Sequence, residues 1–219
     1  MKVSFIPGTK KIKELVPSPS LARSSVPEWY KSILPNVDPS GVKKCIPFLD
    51  ALTSGYIQRT WTDITVTCNN GEAKIEALPH EIEMVREREN PAIPTAQDFY
   101  SKEFIWQRPW AVKLPEGYST LITHPLNQID LPFYTLSAIV DSDMYHHKEI
   151  GNIPFYIKSG FTGTIKAGTP MFQMLPIKRE DWSSEELDYD GKFWYSMYVE
   201  RHLDKNTSYK KSFWQRKKY

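Results

Sequence analysis

Residues 64–77, ITVTCNNGEAKIEA, decide the fold class. Ile64, Val66 and Cys68 alternate with Thr65 and Thr67, Asn69-Asn70-Gly71 supplies residues that tolerate positive φ, and Ala73, Ile75 and Ala77 alternate on the return. A period of two on both sides of such a turn predicts a β-hairpin with one face buried. The same short period spreads C-terminally, with strands expected at 110–114, 118–123, 134–140, 153–158, 161–165 and 171–177. Pro115-Glu116-Gly117, Ser159-Gly160 and Lys166-Ala167-Gly168 are among the breaks between them. Many short strands at this spacing predict an all-β barrel or sandwich from about residue 56 to 178.

The flanks read differently. Seven prolines fall before residue 50, each fixing its own φ and biasing its predecessor away from helix, so residues 1–55 are expected to be an extended arm. Two short helices interrupt it: one with Ser25 as cap and Pro27 in its first turn, the other over 47–54, closed by Gly55. Residues 79–103, with Glu81, Glu83, Arg86, Glu87, Arg88 and Glu89, are expected to be a solvated helix-like excursion or loop. Beyond the core (56–179), residues 180–219 predict a helix at 192–203 with a cap signal at Ser183 or Ser184, then a basic, aromatic tail. All three segments are read as one domain.

Composition removes several classes. The 28 basic and 26 acidic side chains leave a net charge of +2, which gives no global electrostatic case for nucleic-acid binding. Cys45 and Cys68 are too few and too far apart for a disulfide framework or a cysteine-built zinc site, and they fit a reducing compartment, so a cytoplasmic setting is expected. The opening MKVSFIPGTKKIKEL breaks at Pro7-Gly8, and no apolar run approaches the length of a span; neither a signal peptide nor a membrane partner is expected. No phosphate-binding glycine loop, nucleophile elbow or His-x-His pair occurs.

Three runs, VKLPEGYSTLITHPLN, LPFYTLSAIVDSDMY and FTGTIKAGTPMFQMLPI, resemble in order and spacing the core of the dUTPase and dCTP-deaminase superfamily. The matching features are the turn Pro115-Glu116-Gly117, the strand end Ile139-Val140-Asp141, and Gly168 ahead of Gln173. The resemblance implies a β-clip or jelly-roll-like barrel, a homotrimer, and nucleotide sites between subunits. The runs VPEWYK, GYSTLITHPLN and GTPMFQMLPIKRE also resemble an uncharacterised family of bacteria and tailed phages, cyanophages included. Departures matter: where the superfamily has an Arg-Ser-Gly phosphate motif this chain reads Thr123-His124-Pro125-Leu126, and Pro125 has no amide hydrogen to give. The glycine-rich closing motif is absent, and the stacking tyrosine is displaced, since Tyr145 lies four residues after Asp141.

Candidate chemistry centres on Asp141 and Asp143. If extended geometry persists, side chains at i and i+2 share a face, so the two carboxylates would hold magnesium and Asp141 would serve as general base, with Tyr145 stacking on a base or sugar. The competing reading is a strand end whose aspartates cap a turn. His124, Asn127 and Gln128 are candidate ligand-binding residues for a nucleotide or small polar molecule, alternatively a loop satisfying its own backbone; Gln173 joins them through the resemblance. His124 with His146, His147 and Glu149 is a weaker metal-ligand set. An enzyme would need Lys113, Lys148, Lys166 or Arg179 near Asp141 to hold phosphate. The leading expectation is a non-catalytic binding or structural protein. The alternatives are a magnesium-dependent nucleotide hydrolase or deaminase-like enzyme, or a virion decoration component. The tail from Tyr209 to Tyr219 reads first as an arm crossing a neighbouring subunit, with a disordered tail or a phosphate-attracting segment whose rings stack on bases as the alternatives.

Overall fold

A computed structural model of the 219-residue chain describes residues 1–34, 41–77, 81–89, 93–94, 96–145, 151–203 and 209–217. It opens with β1 (Ser4–Pro7), α1 (Lys10–Leu15), β2 (Ser20–Leu21), α2 (Glu28–Ser32) and α3 (Ile46–Thr53). The strands β3 (Tyr56–Arg59), β4 (Ile64–Asn69), β5 (Glu72–Ala77), β6 (Val85–Glu87), β7 (Phe104–Gln107), β8 (Trp110–Lys113) and β9 (Tyr118–Thr123) follow. After them come β10 (Phe133–Thr135), β11 (Ala138–Val140), β12 (Asn152–Ile157), β13 (Gly163–Ile165), β14 (Pro170–Lys178) and α4 (Gly191–Leu203).

The hairpin forms in the expected register, Ile64 opposite Ala77 and Asn69 opposite Glu72. Its turn uses positive φ at Asn70 (50°) and Gly71 (79°), and Ile64, Val66 and Ala73 are buried as the alternation requires.

The protein is mainly β, with antiparallel sheets ordered β1-β8, β10-β12-β7-β6, β11-β9-β14-β3-β2 and β13-β4-β5. Among the described residues these sheets do not close into the expected barrel. The single strand predicted over 134–140 is two: β10 pairs with β12, whereas β11 pairs with β9. Between them Leu136 N donates to Pro154 O at 2.9 Å, and Ser137 Oγ lies 2.8 Å from Thr123 Oγ1. The chain thus passes from one sheet to the next.

Trp106, Phe104, Phe133, Phe155, Phe172 and Met171 fill the core shared by these sheets. Trp106 stacks on Phe155 at 3.7 Å between ring centroids, and Phe133 meets Trp106 edge-on at 5.1 Å. Trp106 Nε1 donates to Thr135 Oγ1 at 3.1 Å, which donates to Met171 O at 2.7 Å, so the indole's burial leaves no orphan donor.

The flanks depart from expectation in physical detail. The N-terminal arm is partly regular, since β1 pairs with β8 and Thr9 Oγ1 caps α1 through Ile12 N at 3.1 Å. Ser25 does not cap α2; it is buried and accepts from Arg59 Nη2 at 2.6 Å. Residues 85–87, within the predicted loop, form an edge strand on β7, with Met84 buried beside it. The start of α4 is held by Asp190, whose Oδ1 accepts from Lys192 N and Phe193 N at 2.9 and 3.0 Å, rather than by Ser183 or Ser184.

Candidate functional site

The turn after β11 carries Asp141 and Asp143, and it is fixed on all sides. Met144 N and Tyr145 N both donate to Asp141 O, at 3.1 and 2.8 Å, and Ser142 Oγ lies 2.7 Å from Thr120 Oγ1. Asp141 and Asp143 do converge, and what they converge on is Arg179, just past the end of β14. Arg179 Nη2 donates to Asp143 Oδ2 and Nη1 to Asp143 Oδ1 at 3.0 Å; Nη1 also lies 3.3 Å from Asp141 Oδ1. Gly117 N donates to Asp143 Oδ2 at 2.9 Å, and Ser119 Oγ to Asp141 Oδ1 at 2.7 Å. The Asp143 side chain is 4% exposed against 63% for Asp141.

A planar guanidinium presenting two donors to a carboxylate favours the ionised form. The Arg179 hydrogen bonds, aided by Gly117 N, hold the Asp143 pKa down at about 2, and Asp143 in turn raises that of Arg179. Of the cations an enzyme would need, Arg179 is therefore present, but as the partner of both aspartates. Lys166 pairs instead with Asp63 at 2.9 Å. Among the described residues no group of three or more His, Cys, Asp or Glu side chains is placed to hold a metal; His146, His147, Lys148 and Glu149 lie outside them.

The predicted ligand-binding residues of the loop after β9 are each tied to protein. His124 Nδ1 accepts from Thr135 N at 3.3 Å, so Nε2 carries the proton and donates to Gln128 O at 3.1 Å. Its ring stacks on Tyr134 at 4.9 Å, and burial holds its pKa below the ordinary histidine value. Asn127 adopts φ 59° and reaches Phe48 O at 3.5 Å. Gln128, 4% exposed, donates to Ser25 O at 3.1 Å. Gln173, 1% exposed, accepts from Leu126 N at 2.7 Å and donates to Ala51 O and Ser54 O at 3.1 and 2.6 Å. These residues do come together with one another, as fasteners between the N-terminal arm, the loop and β14.

Tyr145 sits elsewhere. A pocket of about 410 Å³ is lined by Ile139, Val140, Asp141 and Tyr145 from β11 and its turn, and by Asn152 and Pro154 of β12. Arg108, immediately after β7, also lines it. Arg108 is 3% exposed, and its buried Nε–H has no hydrogen-bond partner. Its guanidinium lies against Gly151, where a β-carbon would stand 3.2 Å from Cζ; burial lowers its pKa. Nothing in the sequence reading singled out Arg108. The available signal was a charged residue between Trp106 and Trp110, in a run otherwise apolar enough to be core.

No family model matches the chain, and no curated protein matches it.

Proposed function

We propose that the chain is a non-catalytic binding protein on a β-rich domain of the dUTPase-like, β-clip type, of phage or bacterial origin, with its ligand site in the Arg108–Tyr145 pocket. The type is supported by the three motifs of the resemblance falling on adjacent strands: the Gly117 turn feeds β9, β11 runs into Asp141, and the Gly168 turn (φ 89°) precedes Gln173 on β14. The observation that carries the non-catalytic reading is the bond network joining Asp141, Asp143 and Arg179. A metal-dependent hydrolase needs carboxylates able to take a cation or a proton from water. Here Arg179 already pairs with both carboxylates, so a magnesium shared between Asp141 and Asp143 would require that guanidinium to leave.

The test is pyrophosphate release and thermal stability with dUTP and dCTP, with and without magnesium. The expected result is no turnover and no magnesium-dependent shift. Magnesium-dependent release that disappears in Asp141→Asn would falsify the non-catalytic reading.

A second reading, self-association as a trimer in a structural role such as virion decoration, is favoured by the C-terminal segment. Trp182, Leu187 and Tyr189 are 92%, 76% and 82% exposed, and Phe193, Trp194, Tyr195 and Tyr198 of α4 are all more than half exposed. Large apolar side chains in such density mark an interaction surface. The segment returns to the domain at Asp50, which accepts from Trp214 Nε1 at 2.9 Å and Lys217 Nζ at 2.7 Å. Light scattering of the full chain should give a trimer mass, falling to one subunit when residues 181–219 are removed. A monomeric full chain rejects this reading.

A further inference from the structure

From the Arg108 pocket we infer that the ligand is a small monocarboxylate with an apolar body, its carboxylate bound by Arg108. This rests on the binding-protein reading above and adds the ligand class. A guanidinium carries a charge at any physiological pH and five N–H donors in a fixed fork. Burying one with an N–H left unpaired is unfavourable unless something completes it. At Arg108 the Nε–H is unpaired, and no described carboxylate forms an ion pair with the side chain. A planar carboxylate accepts two parallel bonds from such a fork.

Charge counting selects the single negative charge. Among the described lining residues Arg108 is the sole cation, and Asp141 adds a negative charge of its own. A phosphate monoester, close to two negative charges at neutral pH, would meet one guanidinium and face a carboxylate. The rest of the lining is largely apolar, with Ile122, Ile139, Val140 and Pro154 contributing. That surface matches a hydrocarbon or aromatic body, and the volume falls within the usual range for small-molecule sites.

The experiment is calorimetric titration of the full chain with phenylacetate and 1-naphthylacetate, with their neutral amides and with phenyl phosphate. Both acids should bind, and each amide should bind at least about tenfold more weakly, the loss expected for one charge-assisted contact. Arg108→Met should abolish acid binding. Ile139→Trp, at a 65% exposed position on the pocket wall, should weaken it by obstruction without touching the guanidinium, so a folding failure of the first variant leaves a second test. Equal binding of acid and amide, or tighter binding of phenyl phosphate, overturns the monocarboxylate assignment and leaves the binding-protein reading in place. Acid binding that survives both substitutions overturns the location, and no binding of any probe overturns the inference. Turnover of a nucleotide in the magnesium assay would instead defeat the non-catalytic reading and leave Arg108 untouched.

Discussion

Two arginines flank the turn after β11, and their situations are opposite. Arg179 is 40% exposed in its side chain and makes bonds to Asp141, Asp143, Ser119 and the carbonyl of Tyr118. Arg108 is 3% exposed and its Nε–H has no partner. Solvent reaches the first readily and the second hardly at all. Where protein groups saturate an accessible cation, the cation is holding structure. Where they leave a buried one beside a pocket incomplete, the fold itself does not account for the cation.

The saturated side of this contrast extends to Gln173, and there the largest effect is expected. Gln173→Leu removes three hydrogen bonds at a buried position and takes from Leu126 N its side-chain acceptor, so denaturant unfolding should show a loss of about 2–4 kcal/mol. Next comes Arg179→Met, which leaves the Asp143 carboxylate buried with Gly117 N and no cation; the melting temperature at pH 7 should fall.

The acid limb sharpens this result. The folded-state pKa of Asp143 is depressed to about 2 from 3.8. The stabilisation it contributes is therefore present above pH 4 and is lost as pH falls from about 4 towards 2. Melting temperatures across that range should drop in the parent protein and drop less steeply in Arg179→Met. Asp141→Asn should matter less, within about 1 kcal/mol, because the side chain is mostly exposed and the charge pair is screened. At the far end, Arg108→Met deletes a buried charge that has no ion-pair partner among the described residues, so stability in the ligand-free protein should be unchanged or raised by about 1 kcal/mol. A large destabilisation by Arg108→Met would erase the distinction between the two arginines.

Legibility in the sequence followed the range of each cause. The hairpin at 64–77 was readable because alternation and the Asn70-Gly71 turn are both local, and so were β9 and β14. The break between β10 and β11 was not, because Tyr134, Thr135, Ile139 and Val140 all suit a continuous strand. What divides it is Pro154 O and Thr123 Oγ1, contributed by other strands. Barrel closure failed as an expectation for the same reason: alternation says that a strand has two faces and is silent on its neighbours. The Asp141 and Asp143 pair was noticed for its two-residue spacing, but the extended geometry assumed for it gives way to a turn closed by Met144 N and Tyr145 N on Asp141 O; Arg179 could be named as a required cation. Its role as their common partner depends on β14 lying beside β9, which no local spacing encodes. His124, Gln128 and Gln173 read as ligand-facing because a polar side chain looks the same whether a substrate or a distant carbonyl awaits it; in the fold each meets protein groups.

The glutamine fasteners also impose a timetable on synthesis. Ser25, Ala51 and Ser54 leave the ribosome early, yet their partners Gln128 and Gln173 lie 103, 122 and 119 residues downstream. Until β14 has emerged, Ala51 and Ser54 lack the glutamine that fastens them, and that part of the leading segment stays open to proteases and chaperones. Stalled nascent chains ending before residue 170 should be cut readily between residues 17 and 54, and chains extended past residue 180, with tunnel length allowed for, should resist.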